Sequence, residues 1–131
     1  MDLRPTDPIR ALTAFDVATG EGRSTLRSLA SRMIDRNCGF LVVDRPEGPS
    51  VVSERDLVRA LAEGADPDHT WAVDVMVRDA ITVSADTSIE DAAEMMIEAN
   101  VRHLLVEDPD DGRIGVVSIR DLLEPLLDAV V

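Results

Sequence analysis

Two copies of one short motif carry the residues of this chain that are best suited to bind a ligand. Residues 51–57 and 115–122 each run from an apolar strand into the letters Ser-x-Arg-Asp-Leu. A serine followed three residues later by an acidic residue is the spacing of a helix capping box. The arginine between them lies in the first helical turn, where the helix dipole disfavours a cation. A bound anion that shares the exposed N–H groups of the helix start would account for an arginine at this position in both copies.

The residue types of this motif suit a nucleotide. A serine hydroxyl, backbone amides and a guanidinium group bind phosphate, and a carboxylate accepts hydrogen bonds from ribose hydroxyls. The motif therefore predicts a nucleotide-binding turn in each copy, formed by Ser53, Arg55 and Asp56 in the first and by Ser118, Arg120 and Asp121 in the second. The alternative is that both motifs only cap helices and bind nothing.

The motif belongs to a longer internal repeat. Residues 16–44 align without a gap onto 79–107, and the second copy then has two more residues in the loop that precedes the motif. In each copy apolar residues recur with helical period: Leu26, Leu29, Ala30, Met33 and Ile34, and then Ile89, Ala92, Ala93, Met96 and Ile97. The order predicted for each repeat is β-α-β-β-α.

Two further patterns complete the predicted repeat. Asn37 and Asn100 follow the two helices, where a left-handed cap is expected. The short apolar runs 40–43 and 103–106 predict strands that are covered on both faces. Repeats of this size must share a core, so we expect one module with residues 1–66 as the first repeat and its lead-in, and 67–131 as the linker and the second repeat.

Composition excludes several classes of function. The net charge of −13 disfavours binding to nucleic acid and to anionic membranes, and no apolar run reaches the length of a membrane span. The single cysteine, Cys38, allows no internal disulfide, so we expect a soluble cytoplasmic protein. No zinc-ligand spacing, P-loop or nucleophile elbow is present, and we predict neither a metal site nor catalysis.

The repeat resembles a tandem pair of CBS domains, also called a Bateman module. The second copy carries the family pattern in order: Asp74-Val75-Met76, then Ile81-Thr82-Val83, a helix that contains methionine, Arg102-His103-Leu104, and the closing motif from Gly115. The resemblance implies a mixed α/β (α+β) fold of two βαββα repeats, packed sheet to sheet about a pseudo-twofold axis. It also implies two clefts that in such proteins often hold adenine nucleotides.

Roles follow from this resemblance residue by residue. It implies that Asp56 and Asp121 bind ribose, and that Ser53 and Ser118 bind ribose or phosphate. Residues of the first and second strands of each repeat would pack the adenine or meet the phosphates: Thr19 and Phe40 in the first repeat, and Ile81, Thr82, Arg102 and His103 in the second.

The two copies follow the family pattern unequally. Gly115 opens the last strand of the second copy, whereas Ser50 takes that place in the first and is expected to narrow the approach to a ligand. The first copy also has glycines at 20 and 22 where the second has Val83 and Ala85. We therefore expect the site that contains Asp121 to be the stronger one.

The functional expectation is a non-enzymatic regulatory module that needs no cofactor. Its ligand would be AMP, ADP, ATP or another adenosine compound. The resemblance further implies a homodimer formed through helices of both repeats, and a protein partner that the module regulates. The competing interpretation is a ligand-free structural or protein-interaction module in which the helix caps have no further role.

Overall fold

The computed structural model describes residues 2–78 and 80–129. Asp79, which the repeat alignment pairs with Asp16, lies outside these residues, as do Met1, Val130 and Val131. The first repeat contains β1 (Thr19–Gly20), α1 (Leu26–Arg36), β2 (Phe40–Val43), β3 (Ser50–Ser53) and α2 (Glu54–Ala62). The second contains β4 (Thr82–Ser84), α4 (Ile89–Ala99), β5 (His103–Glu107), β6 (Ile114–Ser118) and α5 (Ile119–Asp128). The predicted order of elements is confirmed in both repeats.

Two short helices precede the repeats. A 3-10 helix, Ile9–Leu12, lies in the amino-terminal lead-in, and α3 (Ala72–Val75) lies in the segment between the repeats. The strands form two three-stranded sheets with the orders β1-β2-β3 and β4-β5-β6. In each sheet the first pair is parallel and the second antiparallel, so both repeats have the same topology.

The ends of α1 and α4 follow from local sequence chemistry. The hydroxyl groups of Thr25 and Ser88 each accept a hydrogen bond from the backbone N–H three residues later, at 3.1 Å in both cases. Asn37 and Asn100 end the two helices with φ angles of 50° and 54°, in the left-handed region. The left-handed caps predicted at both asparagines are confirmed.

The buried face of each of these helices is narrower than its apolar stripe. Leu26, Leu29 and Met33 of α1 are buried, but Ile34 is 80% exposed, and its equivalent Ile97 on α4 is 76% exposed. A helix that packs on one small sheet and one neighbouring helix covers only part of its apolar surface. Periodicity therefore predicted the helices correctly but overestimated the width of the buried face.

The lead-in segments do not group with the repeats that they precede in the sequence. Contacts divide the chain into one unit of residues 1–16 with 81–131 and another of residues 17–80. In the first unit Ile9 is fully buried and its N–H donates to the carbonyl of Thr87 at 2.8 Å, and Ala14 pairs with Val116 of β6. In the other, Val77 pairs with Val51 of β3.

This grouping differs from the boundary expected between residues 66 and 67. The outer strand of a small sheet exposes unpaired backbone N–H and C=O groups that need a partner. At β6 the partner is the amino-terminal lead-in, and at β3 it is the segment that follows α3. Each lead-in is therefore exchanged onto the sheet of the other repeat, and sequence order alone does not reveal such an exchange.

Gly115 lies in close contact with the amino-terminal lead-in. A Cβ atom on Gly115 would lie 2.6 Å from Cγ2 of Thr13 and 2.7 Å from the carbonyl oxygen of Ala14. The equivalent Ser50 is fully buried, and its hydroxyl accepts a hydrogen bond from Nη1 of Arg45 at 3.4 Å. Packing within this unit is therefore sufficient to require glycine at 115, and the narrower ligand approach at Ser50 stays a prediction.

Candidate functional site

The turn from β6 into α5 holds the predicted capping box. The backbone N–H and the hydroxyl of Ser118 both donate to Oδ2 of Asp121 at 2.9 Å, and the N–H of Asp121 donates back to the Ser118 hydroxyl at 3.3 Å. Within the described chain every side-chain hydrogen bond of Asp121 uses Oδ2. Its Oδ1 therefore remains available to accept a bond from a ligand hydroxyl.

The first repeat has the same capping box, but its carboxylate, that of Asp56, is less exposed to solvent than that of Asp121. The backbone N–H and hydroxyl of Ser53 donate to Oδ2 of Asp56 at 2.8 and 3.0 Å. The other oxygen, Oδ1, lies 3.7 Å from Nη1 of Arg59, and the Asp56 side chain is only 11% exposed. Asp121, by contrast, is an exposed residue. The two turns therefore share their geometry but differ in how much of the carboxylate a ligand can reach.

The two arginines of the motif sit at the second position of their helices. Arg55 and Arg120 are both exposed, and neither side chain forms an ion pair or hydrogen bond with any residue in 2–78 or 80–129. A cation at a helix start is electrostatically unfavourable unless an anion accompanies it. Acidic residues in the same turns, Glu54 and Asp56 in α2 and Asp121 in α5, offset part of this cost, but neither guanidinium is paired with a described protein group.

His103 lies beside the second turn. It begins β5 directly opposite Ser118 in the antiparallel register, and the carbonyl of the adjacent Arg102 accepts a hydrogen bond from the N–H of Ile119 at 2.8 Å. Partial desolvation lowers the pKa of His103, while the negative charge of Asp121 raises it and the positive charge of Arg102 lowers it, with a net decrease. The imidazole is therefore mostly neutral at pH 7 before any anion is present.

The equivalent strand residues of the first repeat follow the same register. Phe40 is half-buried and lies opposite Ser53 at the start of β2. Thr19 is exposed and pairs with Val42 across β1 and β2, while its carbonyl accepts a hydrogen bond from Nη1 of Arg32 at 2.6 Å. Phe40 and Ser53 thus meet on neighbouring strands, whereas Thr19 lies one strand further away.

The remaining predicted residues belong to the edge of the second sheet. The Ile81 carbonyl accepts a hydrogen bond from the Leu105 N–H at 2.9 Å, and the Ile81 side chain packs against the apolar core. Thr82 is exposed and pairs with Leu105 across β4 and β5. Ile81 therefore contributes to the core as well as to this edge.

A cavity of about 240 Å³ opens at the same edge. It is lined by Thr82, Val83, Ser84, Glu107 and Pro109. The sequence patterns indicated Thr82 but did not single out Ser84 or Glu107. Ser84 pairs with Glu107 in the parallel register, and alternation along the two strands was the only sequence signal that could have placed them together.

In residues 2–78 and 80–129 no group of three or more His, Cys, Asp or Glu side chains is arranged to hold a metal ion. The helices of the same ranges include none with the length and apolar character needed to cross a membrane.

Comparison with known proteins identifies the family. The CBS domain model matches residues 72–128. The CBS domain-containing protein YhcV of Bacillus subtilis is 30% identical over 108 residues, which cover 81% of this chain and 76% of YhcV. The chain belongs to the CBS-domain family. Proteins of this family are generally regulatory rather than catalytic.

Solved CBS structures agree with the fold. The CBS domain protein PAE2072 from Pyrobaculum aerophilum, complexed with AMP, superposes with a TM-score of 0.80 at 32% identity, covering 94% of this chain and 98% of that one. An uncharacterized protein of Methanopyrus kandleri, MK0525, is 32% identical over 121 residues, which cover 88% of this chain and 62% of that protein. This chain thus spans less than two thirds of the length of MK0525.

Proposed function

We propose that this protein is a non-enzymatic regulatory module that binds an adenosine-containing nucleotide at its Ser-x-Arg-Asp turns. One observation carries the proposal: the first turn of both α2 and α5 contains an exposed arginine next to a carboxylate that caps the helix. The 32% identical protein PAE2072 was solved in complex with AMP, which supports an adenosine compound as the ligand.

The second turn is the stronger candidate site. Asp121 is exposed and its Oδ1 makes no hydrogen bond with the described residues, whereas Asp56 is largely covered and its Oδ1 faces Arg59. Ribose would bind to Asp121, and phosphate would bind near Ser118 and Arg120 at the start of α5. Arg102 and His103 lie at the same end of the sheet. Arg102 carries a positive charge, and His103 would add a second one when it is protonated.

The apolar residues left on the helices support self-association. In the first repeat Ile34 and Val58 are 80% and 65% exposed, and at the equivalent positions of the second repeat Ile97 and Leu123 are 76% and 45% exposed. A single exposed apolar side chain needs no explanation, but the same positions recur in both repeats. We propose that these helical faces form a homodimer, and that a regulated protein partner responds to its ligand state.

The capping geometry favours one competing function. Ser53 and Ser118 already complete reciprocal hydrogen bonds with Asp56 and Asp121, so both turns are stable helix starts without a ligand. A ligand-free structural or protein-interaction module would have the same caps. Under that alternative Arg55 and Arg120 would be replaceable without consequence.

Titration calorimetry and thermal shift with AMP, ADP, ATP, NAD and S-adenosylmethionine distinguish the two functions. The sensor predicts saturable binding of at least one adenosine compound and a Tm that rises with ligand concentration. A double substitution, Arg55→Gln with Arg120→Gln, is expected to weaken that binding, whereas Arg4→Gln with Arg23→Gln changes the charge equally on exposed residues outside the motif. If the unmodified protein binds none of these compounds, the ligand-free alternative is correct.

A further inference from the structure

The helical surfaces of the two units carry opposite charge. α1 packs against α2 in one unit, and α4 packs against α5 in the other, so each unit presents a surface of two helices. The α1–α2 surface contains five arginines and three acidic residues, whereas the α4–α5 surface contains one arginine and seven acidic residues. All of these side chains except that of Asp56 are exposed. The first surface therefore has a net charge of +2 and the second a net charge of −6.

The sign of the charge changes beside exposed apolar residues. Arg27 lies seven residues before Ile34, on the same face of α1, and the equivalent residues of α4 are Glu90 and Ile97. Arg27 is already paired with Asp68 of its own unit at 2.6 Å, so it contributes only part of its charge to an external contact. Two exposed isoleucines at equivalent positions are thus accompanied by an arginine in one repeat and by a glutamate in the other.

The second helix of each surface shows the same change of sign. Arg59 follows the exposed Val58 of α2, and at the equivalent positions of α5 Glu124 follows the exposed Leu123. Nη1 of Arg59 lies 3.7 Å from Oδ1 of Asp56, which is beyond hydrogen-bond distance, and 61% of the Arg59 side chain is exposed. The Arg59 guanidinium is therefore accessible to an acidic group of a second molecule.

We propose that two copies of the chain associate head to tail, with the α1–α2 surface of one copy against the α4–α5 surface of the other. This inference rests on the proposed homodimer and adds the orientation of the two copies to it. Association of like surfaces would place two net charges of −6 against each other. Charges interact over about 8 Å at physiological salt, so the charges of the helices that form the contact decide between the two arrangements. The head-to-tail arrangement brings opposite charges together and is favoured.

Reversal of one charge on each surface tests this orientation. In the head-to-tail contact, Glu124→Arg replaces attraction with repulsion although it lowers the net negative charge of the chain, and Arg59→Glu acts in the same way from the other surface. We expect each single variant to raise the Kd of the dimer roughly threefold or more, and the double variant to restore it, measured by analytical ultracentrifugation. Association of like surfaces predicts the opposite for Glu124→Arg, because repulsion between two acidic surfaces would decrease and the dimer would tighten.

Asp110→Arg is the matched control for net charge. It makes the same change at an exposed residue in the loop between β5 and β6, outside both helical surfaces, and should not raise the Kd. Circular dichroism of each variant verifies that the fold is intact.

Cross-linking of the full chain identifies the contact directly. Ile34→Cys and Ile97→Cys are prepared separately in a Cys38→Ser background, mixed, and treated with a short bismaleimide. The head-to-tail dimer predicts products that join position 34 of one chain to position 97 of the other. A dimer that gives mainly 34-to-34 and 97-to-97 products, or that Glu124→Arg tightens, would overturn the orientation and leave self-association in place. An unmodified protein that sediments as a monomer would overturn the homodimer and the orientation together.

Discussion

Nη1 of Arg10 lies 2.7 Å from Oδ2 of Asp108, a carboxylate whose side chain is only 4% exposed and which lies 98 residues away in sequence. The same guanidinium contacts Asp86 at 2.9 Å, so one arginine connects the amino-terminal lead-in to two loops of the second repeat. Asp108 also accepts a hydrogen bond from the Asp110 N–H at 3.0 Å and lies 3.4 Å from Arg113. The exchanged lead-in is thus held by charge as well as by strand pairing.

Removal of Arg10 should destabilise the unit that contains the second repeat. In Arg10→Ala the buried Asp108 carboxylate keeps its hydrogen bond from the Asp110 N–H and its 3.4 Å contact with Arg113, but it loses its shortest ion pair, and weaker pairing of a buried charge is costly. We expect the Tm to fall by several degrees, measured by circular dichroism. Arg4→Ala, in the same lead-in but exposed, should change the Tm little. An equal change in the two variants would show that the ion pair does not hold the segment.

The contribution of Asp108 should depend on pH. The hydrogen bond from the Asp110 N–H and the contact with Arg10 lower the pKa of Asp108, against the opposing effect of desolvation. A carboxylate with a lowered folded-state pKa contributes stability above its ordinary pKa, near about 3.9, and this stability is lost as the pH falls through the folded value. The Tm difference between the unmodified protein and Asp108→Asn should therefore be largest near neutral pH and shrink below about pH 4. A difference that is constant across this range would contradict the linkage.

The two aspartates of the motif should contribute unequally to nucleotide binding. Asp121 is exposed with Oδ1 available, whereas the Asp56 side chain is 11% exposed and faces Arg59. Asp121→Ala should weaken binding of AMP roughly tenfold or more, because a hydrogen bond to a charged group is lost. Asp56→Ala removes an equivalent cap and charge in the first repeat and should have a smaller effect. If Asp121→Ala binds like the unmodified protein, the stronger site is not at this turn.

Nucleotide affinity should respond to the protonation of His103. Desolvation lowers the pKa of His103 in the free protein, and a bound phosphate would favour the protonated form. Binding would then take up a proton, so affinity for AMP should rise more between about pH 7.5 and 5.5 in the unmodified protein than in His103→Gln. The comparison removes the titration of the phosphate itself, which both proteins share. Parallel pH profiles would exclude phosphate contact by His103.

The helical faces should determine the oligomeric state. Ile34 is 80% exposed, so Ile34→Glu should leave the fold intact and place a charge in the proposed dimer interface. Light scattering coupled to size exclusion should then show a shift from dimer to monomer. Ser28→Glu adds the same charge to an exposed position about a third of a turn away from Ile34 around α1 and should remain dimeric. A dimer that survives Ile34→Glu would exclude this helical face as the interface.

The sequence determined those features that depend on neighbouring residues. The order of elements in each repeat, the left-handed caps at Asn37 and Asn100, and the capping boxes at Ser53 and Ser118 are all confirmed. Each depends on contacts within about four residues, so the residue types and their spacing are sufficient to predict it.

The pairing register of the strands places the candidate site residues next to each other, and the sequence predicted these residues but not their contacts. His103 meets Ser118 because β5 and β6 pair antiparallel, and Phe40 meets Ser53 in the same way across β2 and β3. The sequence did not single out Glu107, because the cavity that it lines has walls from two strands and a loop. No local pattern distinguishes a strand residue that lines a cavity from one that faces solvent.

Only the tertiary structure decided the long-range arrangement. The exchange of the lead-ins, the contact of Arg10 with Asp108 and the need for glycine at 115 all join segments that are far apart in the chain. The exposure of Ile34 and Ile97 likewise depends on how much of each helix its neighbours cover. Periodicity shows that a side chain is apolar and on a particular face, but burial is decided by the surfaces that pack against it.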